Sequence, residues 1–288
     1  MRKRLKKYRE GWILTAPLLT GCLIFYVIPF VMVLWYSFRS GAGRRSSFVG
    51  LENYREILGN ELFLLACRNT GIFLALGLPA ILVLSYLIAL ILKEQAGKHR
   101  LLKSVLLFPY IMPVAGTVLL VDLMFAKGGV ADRILEIFGL PGETWMDSSW
   151  AFWILLTLYL WKNAGYSVIL LLAGLMTIPK EQYDAASLDG AGNFQKFRHI
   201  TTPQMRNSVF FALLFSMINA FKCFREIFLI GGEHPGKDIY MLQHFLNNSF
   251  GNLNYRKLSA ASVLLFLAVT VVVGSVYGWI RKKEERAV

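Results

Sequence analysis

Residues Ile178 to Pro203 read IPKEQYDAASLDGAGNFQKFRHITTP, a polar segment between two long apolar stretches. Pro179 limits helix propagation out of the preceding stretch. Residues 180–188 are good helix formers, with Glu181 in the first turn, where the helix dipole favours an acid. Ala185 and Ala186 allow another backbone to approach closely. Gly190 is placed to end this helix in a left-handed conformation. Asn193 is placed to cap a second short helix containing Phe194, Phe197 and Ile200, and Pro203 to end it. The expected product is a helical elbow with small residues at its centre. Such an elbow suits docking on a partner, and it equally suits an amphipathic connector resting on a lipid surface. These residues alone leave both open.

The flanking stretches decide the fold class. Of 288 residues, 56% are hydrophobic, and the mean hydropathy is +0.50. The apolar residues gather in six runs of 18 or more: Trp12–Tyr36, Thr70–Leu92, Leu101–Phe125, Trp150–Thr177, Asn207–Ile230 and Leu258–Ile280. Each is long enough to cross a hydrocarbon core of roughly 30 Å. The expectation is an all-α membrane protein with six transmembrane helices. Residues 1–11 form a basic tail, 12–280 one membrane domain carrying the 178–203 loop, and 281–288 a second basic tail. Pro109 and Pro113 predict a kink in the third span, since each lacks a backbone donor. A short helix is expected at Asp132–Phe138 in the 126–149 loop.

The net charge is +13. Its distribution explains it without a nucleic acid. With the N-terminus inside, the inner segments hold 18 of the 31 Lys and Arg, although the outer loops are longer. That is the positive-inside bias, and it places both termini in the cytoplasm.

Other signals are decoys or packing. Cys22, Cys67 and Cys223 lie in or beside apolar runs, as small packing residues do. His99, His199, His234 and His244 fall in loops on opposite sides of the membrane and cannot share one metal. Leu19-Thr20-Gly21-Cys22 resembles a lipoprotein cleavage site, but the apolar run continues to Tyr36. Gly231–Lys237 fits the spacing of a phosphate-binding loop, but Asp238 stands where Ser or Thr must hold magnesium, and a membrane helix precedes it. No ATP site, catalytic set or cofactor is expected in this chain. An embedded enzyme needs convergent carboxylates, a His cluster or a Ser–His pair, and the spans carry only Glu226 and the terminal Asp122 as acids.

Asp184-Ala185-Ala186, then three residues and Gly190, then Ile200-Thr201-Thr202-Pro203, form a specific constellation. Asp189-Gly190-Ala191, Ala16-Pro17, Tyr26-Val27-Ile28-Pro29, Ser37-Phe38, the 48–54 motif, Trp161, Gly165, Ala173-Gly174-Leu175, Gly231-Gly232, Tyr240 and Phe250 accompany it. Together they resemble the permeases of binding-protein-dependent ABC transporters, in the carbohydrate branch of maltose or glycerol-phosphate type. Asp184 replaces the family's usual Glu, Thr202 a common Leu, and Asn207 a frequent second Pro. The resemblance implies an importer-type ABC permease fold and import of a carbohydrate delivered by an extracytoplasmic solute-binding protein. It implies a second permease subunit, two cytoplasmic ATPases that bind ATP and Mg, and a cell-membrane location. Asp184, Ala185, Ala186, Asp189, Gly190 and Ala191 would be the ATPase-coupling set. Glycerol phosphate or another small polar solute is the alternative cargo. An ion-gradient carrier is a weaker rival, since it would usually have more spans and paired broken helices.

Ionisable groups inside spans are costly and point to function. Lys162 lies mid-span beside Asn163 and Tyr166. Asn219, Lys222 and Glu226 share one helix face, with Arg225 adjacent. These six (Lys162, Asn163, Tyr166, Asn219, Lys222 and Glu226) are the candidate substrate pathway. The competing expectation is an internal ion pair between Lys222 and Glu226 at i, i+4. Gly274 and Gly278 form a short G-x-x-x-G that can mark close helix contact.

Overall fold

A computed structural model describes residues 2–41, 47–94 and 100–285. The turn after the second expected span and the end of the C-terminal tail lie outside these. Nearly all of the described chain is helical. The chain divides into two compact units, one comprising the described residues up to 64 with 246–270, the other those of 65–245 with 271–285.

In the first unit, α1 (Arg2–Cys22) passes through a π-helical turn, Leu23–Val27, into α2 (Ile28–Ser37). Pro29 follows the π turn by two residues. A proline clashes with the carbonyl four residues back, and the wider turn moves that carbonyl aside. A minimal antiparallel ladder follows, β1 (Arg39–Ser40) with β2 (Ser47–Phe48), pairing Arg39 opposite Phe48. It is fastened by α3 (Glu52–Leu58). The buried Asn53 amide donates to the carbonyls of Ser37 (2.8 Å) and Arg39 (2.9 Å), and the Tyr54 hydroxyl donates to Ser37 Oγ at 2.6 Å. Phe38 lies against Tyr54 with ring centroids 5.6 Å apart. The family-like 48–54 motif is therefore a latch on the end of α2.

In the second unit, α4 (Glu61–Glu94, whose first residues belong to the first unit) is anchored through its polar N-terminal part. Asn69 donates to the carbonyls of Lys237 (2.6 Å) and Tyr240 (3.0 Å), and the Leu242 N–H donates to Thr70 Oγ1 at 2.9 Å. The third expected span is two helices, α5 (Arg100–Ile111) and α6 (Val114–Phe125). The expected kink is a full interruption because Pro113 has an extended ψ of 147° and begins a new helix. The expected short helix is present as α7 (Val130–Ile137). Asp132 within it gathers the loop by accepting from the N–H groups of Gly128 (2.7 Å) and Glu143 (3.2 Å) and from Trp145 Nε1 (2.7 Å).

The central element is α8 (Trp150–Met176), the most deeply buried of the long apolar helices. Its C-terminal half packs with Ala89, Leu92, Met205 and Ala212, and its N-terminal half with Phe73, Ile81, Val121 and Ile227. Two glycines permit this closeness. A methyl group at Gly165 would fall on the Leu106 carbonyl of α5, and one at Gly174 on the Ser208 hydroxyl. By contrast, a methyl group at Gly274 or Gly278 of α15 (Tyr255–Glu285) would meet nothing within 4 Å among the described residues.

The elbow comprises α9 (Lys180–Leu188), α10 (Asn193–Lys196), a second π turn at Phe197–Thr201 and α11 (Thr202–Gln204). Gly190 ends α9 at φ +78°, with the Ala191 N–H returning to the Ala186 carbonyl at 2.9 Å. The cap of α10 differs from expectation. Asn193 is its first helical residue, and the Gln195 side chain accepts the Gly192 N–H at 2.9 Å. Pro203 does not end the helix either. It sits in the first turn of α11, where its missing donor is tolerated, again two residues beyond a π turn.

The fifth expected span is also interrupted. α12 (Arg206–Lys222) and α13 (Phe224–Gly231) meet at Cys223, whose N–H is shared between the carbonyls of Asn219 (3.1 Å) and Ala220 (3.3 Å). The turn is tightened there and separates α12 from α13. Among the described residues, five stretches rather than six are long and apolar enough to cross a membrane: Gly11–Ser37, Glu61–Lys93, Val114–Ile137, Trp150–Met176 and Tyr255–Lys282. α12 has 17 residues and α13 eight, so neither qualifies alone.

α14 (Leu242–Gly251) begins beneath Phe224 and Tyr240. The His244 ring lies between theirs, at 4.7 and 5.5 Å, and its Nδ1 accepts the Met241 N–H at 3.1 Å. Burial, reinforced by His234, pushes this imidazole down to about 4, so it is neutral at physiological pH.

Candidate functional site

Where α8 faces the α12–α13 break, a cavity of about 250 Å³ opens. It is lined by five of the six expected pathway residues: Lys162 and Asn163 from α8, Asn219 and Lys222 from α12, and Glu226 from α13. Tyr166 does not reach it. Its ring instead stacks on Tyr110 at 4.9 Å with an interplanar angle of 18°, and Tyr110 lines the cavity together with Tyr159. Arg225 joins the lining too. Tyr110 was missed because it lies on another helix, just before the break at Pro113.

The expected Lys222–Glu226 pair does not form. The turn at Cys223 falls between the two residues, so they no longer sit on one regular helix face. Glu226 turns to α8, and its Oε1 lies 2.5 Å from Lys162 Nζ. Their side chains are only 6% and 14% exposed, and Lys162 also reaches Thr117 Oγ1 of α6 at 3.4 Å. One ion pair thus ties α6, α8 and α13. Asn163 Nδ2 donates to the Tyr159 carbonyl at 2.9 Å within its own helix. Asn219 is mostly buried and also lines the cavity. The site is therefore a polar chamber with hydrogen-bonding amides, an aromatic face and an excess of positive charge.

The elbow holds a second, more open concavity of about 380 Å³. Ala186, Asp189, Gly190 and Ala191 of the expected coupling set line it, with Gln195, Lys196, His199 and Ile200. Asp184 and Ala185 lie outside that lining and are exposed on α9. The two arms are cross-tied. The Tyr183 and Thr201 hydroxyls are 2.8 Å apart, and Lys196 Nζ donates to Ser187 Oγ at 2.7 Å. Lys93, at the end of α4, donates to the Tyr183 hydroxyl at 3.1 Å and lies over its ring. The elbow is thereby joined to a long apolar helix. At its tip Leu188 is 91% exposed, a residue that helix propensity alone did not single out.

Residues 63–286 match the family described as the binding-protein-dependent transport system inner membrane component. The chain belongs to this family. It is a multi-pass membrane protein and the permease component of such a transport system. It is 32% identical to the trehalose/maltose transport system permease protein MalF of Thermococcus litoralis, over 91% of this chain and 92% of that one. It is 29% identical to the arabinooligosaccharides transport system permease protein AraP of Bacillus subtilis, over 93% and 87% respectively. Among solved structures, a bacterial alginate ABC transporter, in complex with its alginate pentasaccharide-bound periplasmic protein, superposes with a TM-score of 0.83. That match covers 98% of this permease and 97% of the other chain at 20% identity, a likeness of fold.

Proposed function

We propose that this permease carries a carbohydrate across the cytoplasmic membrane in an ATP-driven importer, with six spans and both termini on the cytoplasmic side. In this arrangement α12 and α13 together form the fifth span, so the broken helix lines the pathway. The observation that carries the reading is the chamber holding Asn163, Asn219 and Tyr110 beside the break. Amides and an aromatic face suit a polyol. The trehalose/maltose and arabinooligosaccharide relatives support the same cargo class. Asn219→Ala is expected to slow uptake several-fold while the assembly purifies unchanged. Unaltered uptake kinetics would remove Asn219 from the pathway.

The exposed elbow supports a docking role for Asp184, Ala185, Ala186, Asp189, Gly190 and Ala191 on a cytoplasmic ATPase. Two ATPases would bind ATP and Mg, and this chain would hydrolyse nothing. A second, non-identical permease and an extracytoplasmic solute-binding protein complete the assembly. ATP-driven closure of the ATPases would move the elbows, and the ties through Tyr183 and Lys93 would carry that motion to α4.

Gly190→Asp tests this. At φ +78° an Asp side chain is strained, and it adds charge at the elbow's turn. A pull-down in mild detergent is expected to recover a Walker-motif ATPase and a second permease with the wild type, and to lose the ATPase with Gly190→Asp. A wild type that stays alone after crosslinking in the membrane would defeat the ABC assembly.

A further inference from the structure

The geometry points to a negatively charged cargo: we infer that Lys222 and Arg225 receive a carboxylate, sulfonate or phosphate group of the transported carbohydrate. This rests on the carbohydrate reading above and narrows it. The argument is a balance of charge inside one chamber. Four charged side chains line it, Lys162, Lys222, Arg225 and Glu226. The single acid is taken by Lys162. Among the described residues Lys222 and Arg225 form no ion pair, and both are exposed. Two positive charges therefore remain uncompensated beside the break in a membrane helix.

Uncompensated cations at such a position are costly in a bilayer. A neutral polyol recovers only part of that cost, because its hydroxyls can accept hydrogen bonds from the two cations but bring no opposing charge. An anion recovers it directly. The guanidinium of Arg225 offers a planar pair of donors that matches a carboxylate or phosphate, and Lys222 adds a point charge. The two residues flank Cys223, so the tightened turn presents both to the same chamber. The stacked Tyr110–Tyr166 pair leaves Tyr110 available to the sugar ring carrying the acid.

The test uses the whole importer, with its own ATPases and binding protein, in proteoliposomes. ATP-driven uptake is measured for a neutral disaccharide, the uronate disaccharide of the same linkage and a disaccharide phosphate. The proteins are wild type, the Lys222→Gln/Arg225→Gln double variant and the charge-keeping Lys222→Arg variant. The expected result is uptake of at least one acidic probe by wild type, reduced at least tenfold in the double variant and largely retained in Lys222→Arg. Which acidic probe is carried identifies the anion. Acidic uptake unchanged in the double variant, or a wild type carrying only the neutral probe, overturns the inference and leaves the carbohydrate reading standing. Uptake of none of the three, with ATPase activity intact, defeats the carbohydrate reading itself. If the double variant fails to assemble because the cations meet acids of a neighbouring subunit, the wild-type preference among the probes decides.

Discussion

Glu226→Gln is expected to destabilise the protein by about 3 kcal/mol, the lower end of the range for removing one partner of a buried ion pair. The side chain keeps its shape, so the loss is electrostatic. Lys162 is left with a positive charge and little water, and the glutamine carbonyl and Thr117 Oγ1 at 3.4 Å can accept from it without balancing that charge. The position matters as much as the charge. Glu226 stands just past the turn at Cys223, and its bond to Lys162 holds α13 against α8. Denaturant unfolding in detergent should place Glu226→Gln well below wild type. The double variant Lys162→Met/Glu226→Leu should recover most of the difference, since an apolar pair of similar volume avoids the uncompensated charge. A single variant as stable as wild type, or a double variant no better than the single, would show that the pair carries no such weight.

Gly165→Ala should be more damaging still. The added methyl group meets the backbone carbonyl of Leu106, which cannot rotate away as a side chain could. α5 and α8 must separate along a shared packed length that includes Leu106, Val168 and Leu172. Overpacking commonly costs about 1–3 kcal/mol when side chains can yield, and a backbone collision exceeds that range. The expected outcome is a sharp fall in the yield of monodisperse protein and a lowered melting temperature. Gly71→Ala is the control, because a methyl group there meets nothing within 4 Å. Equal melting temperatures for the two variants would mean that the α5–α8 contact is looser than the structure has it.

The sequence made the membrane class legible, since a soluble domain seldom carries charge-free apolar runs of such length. It also made the elbow legible, because Gly190 and the two alanines act locally. The interruptions were harder. Pro113 announced a kink and produced a break, and Cys223 carries no signal at all: nothing in Lys222-Cys223-Phe224 marks a shared N–H. That one turn decides the site. It parts Lys222 from Glu226, which helical spacing would have joined, and sends Glu226 to Lys162, a residue 64 positions away. The π turns at Leu23–Val27 and Phe197–Thr201 are a related case. Pro203 was expected to end a helix and Pro29 lies within an expected span, and at both the backbone widens two residues earlier and continues. Tyr110 escaped notice because membership of a chamber depends on packing among helices, which local pattern does not encode.

The amide of Asn69 also sets a constraint in time. Its two acceptors, the carbonyls of Lys237 and Tyr240, lie up to 171 residues further along the chain. At synthesis rates of roughly 5–20 residues per second, that separation corresponds to roughly 10–30 s on the ribosome. Throughout that interval α4 has been made while its anchor at Lys237 and Tyr240 does not yet exist, and the amide must be met by water or by the insertion machinery. A nascent chain halted before Tyr240 would leave α4 without its clasp, so the bond records that synthesis has reached the final fifth of the protein.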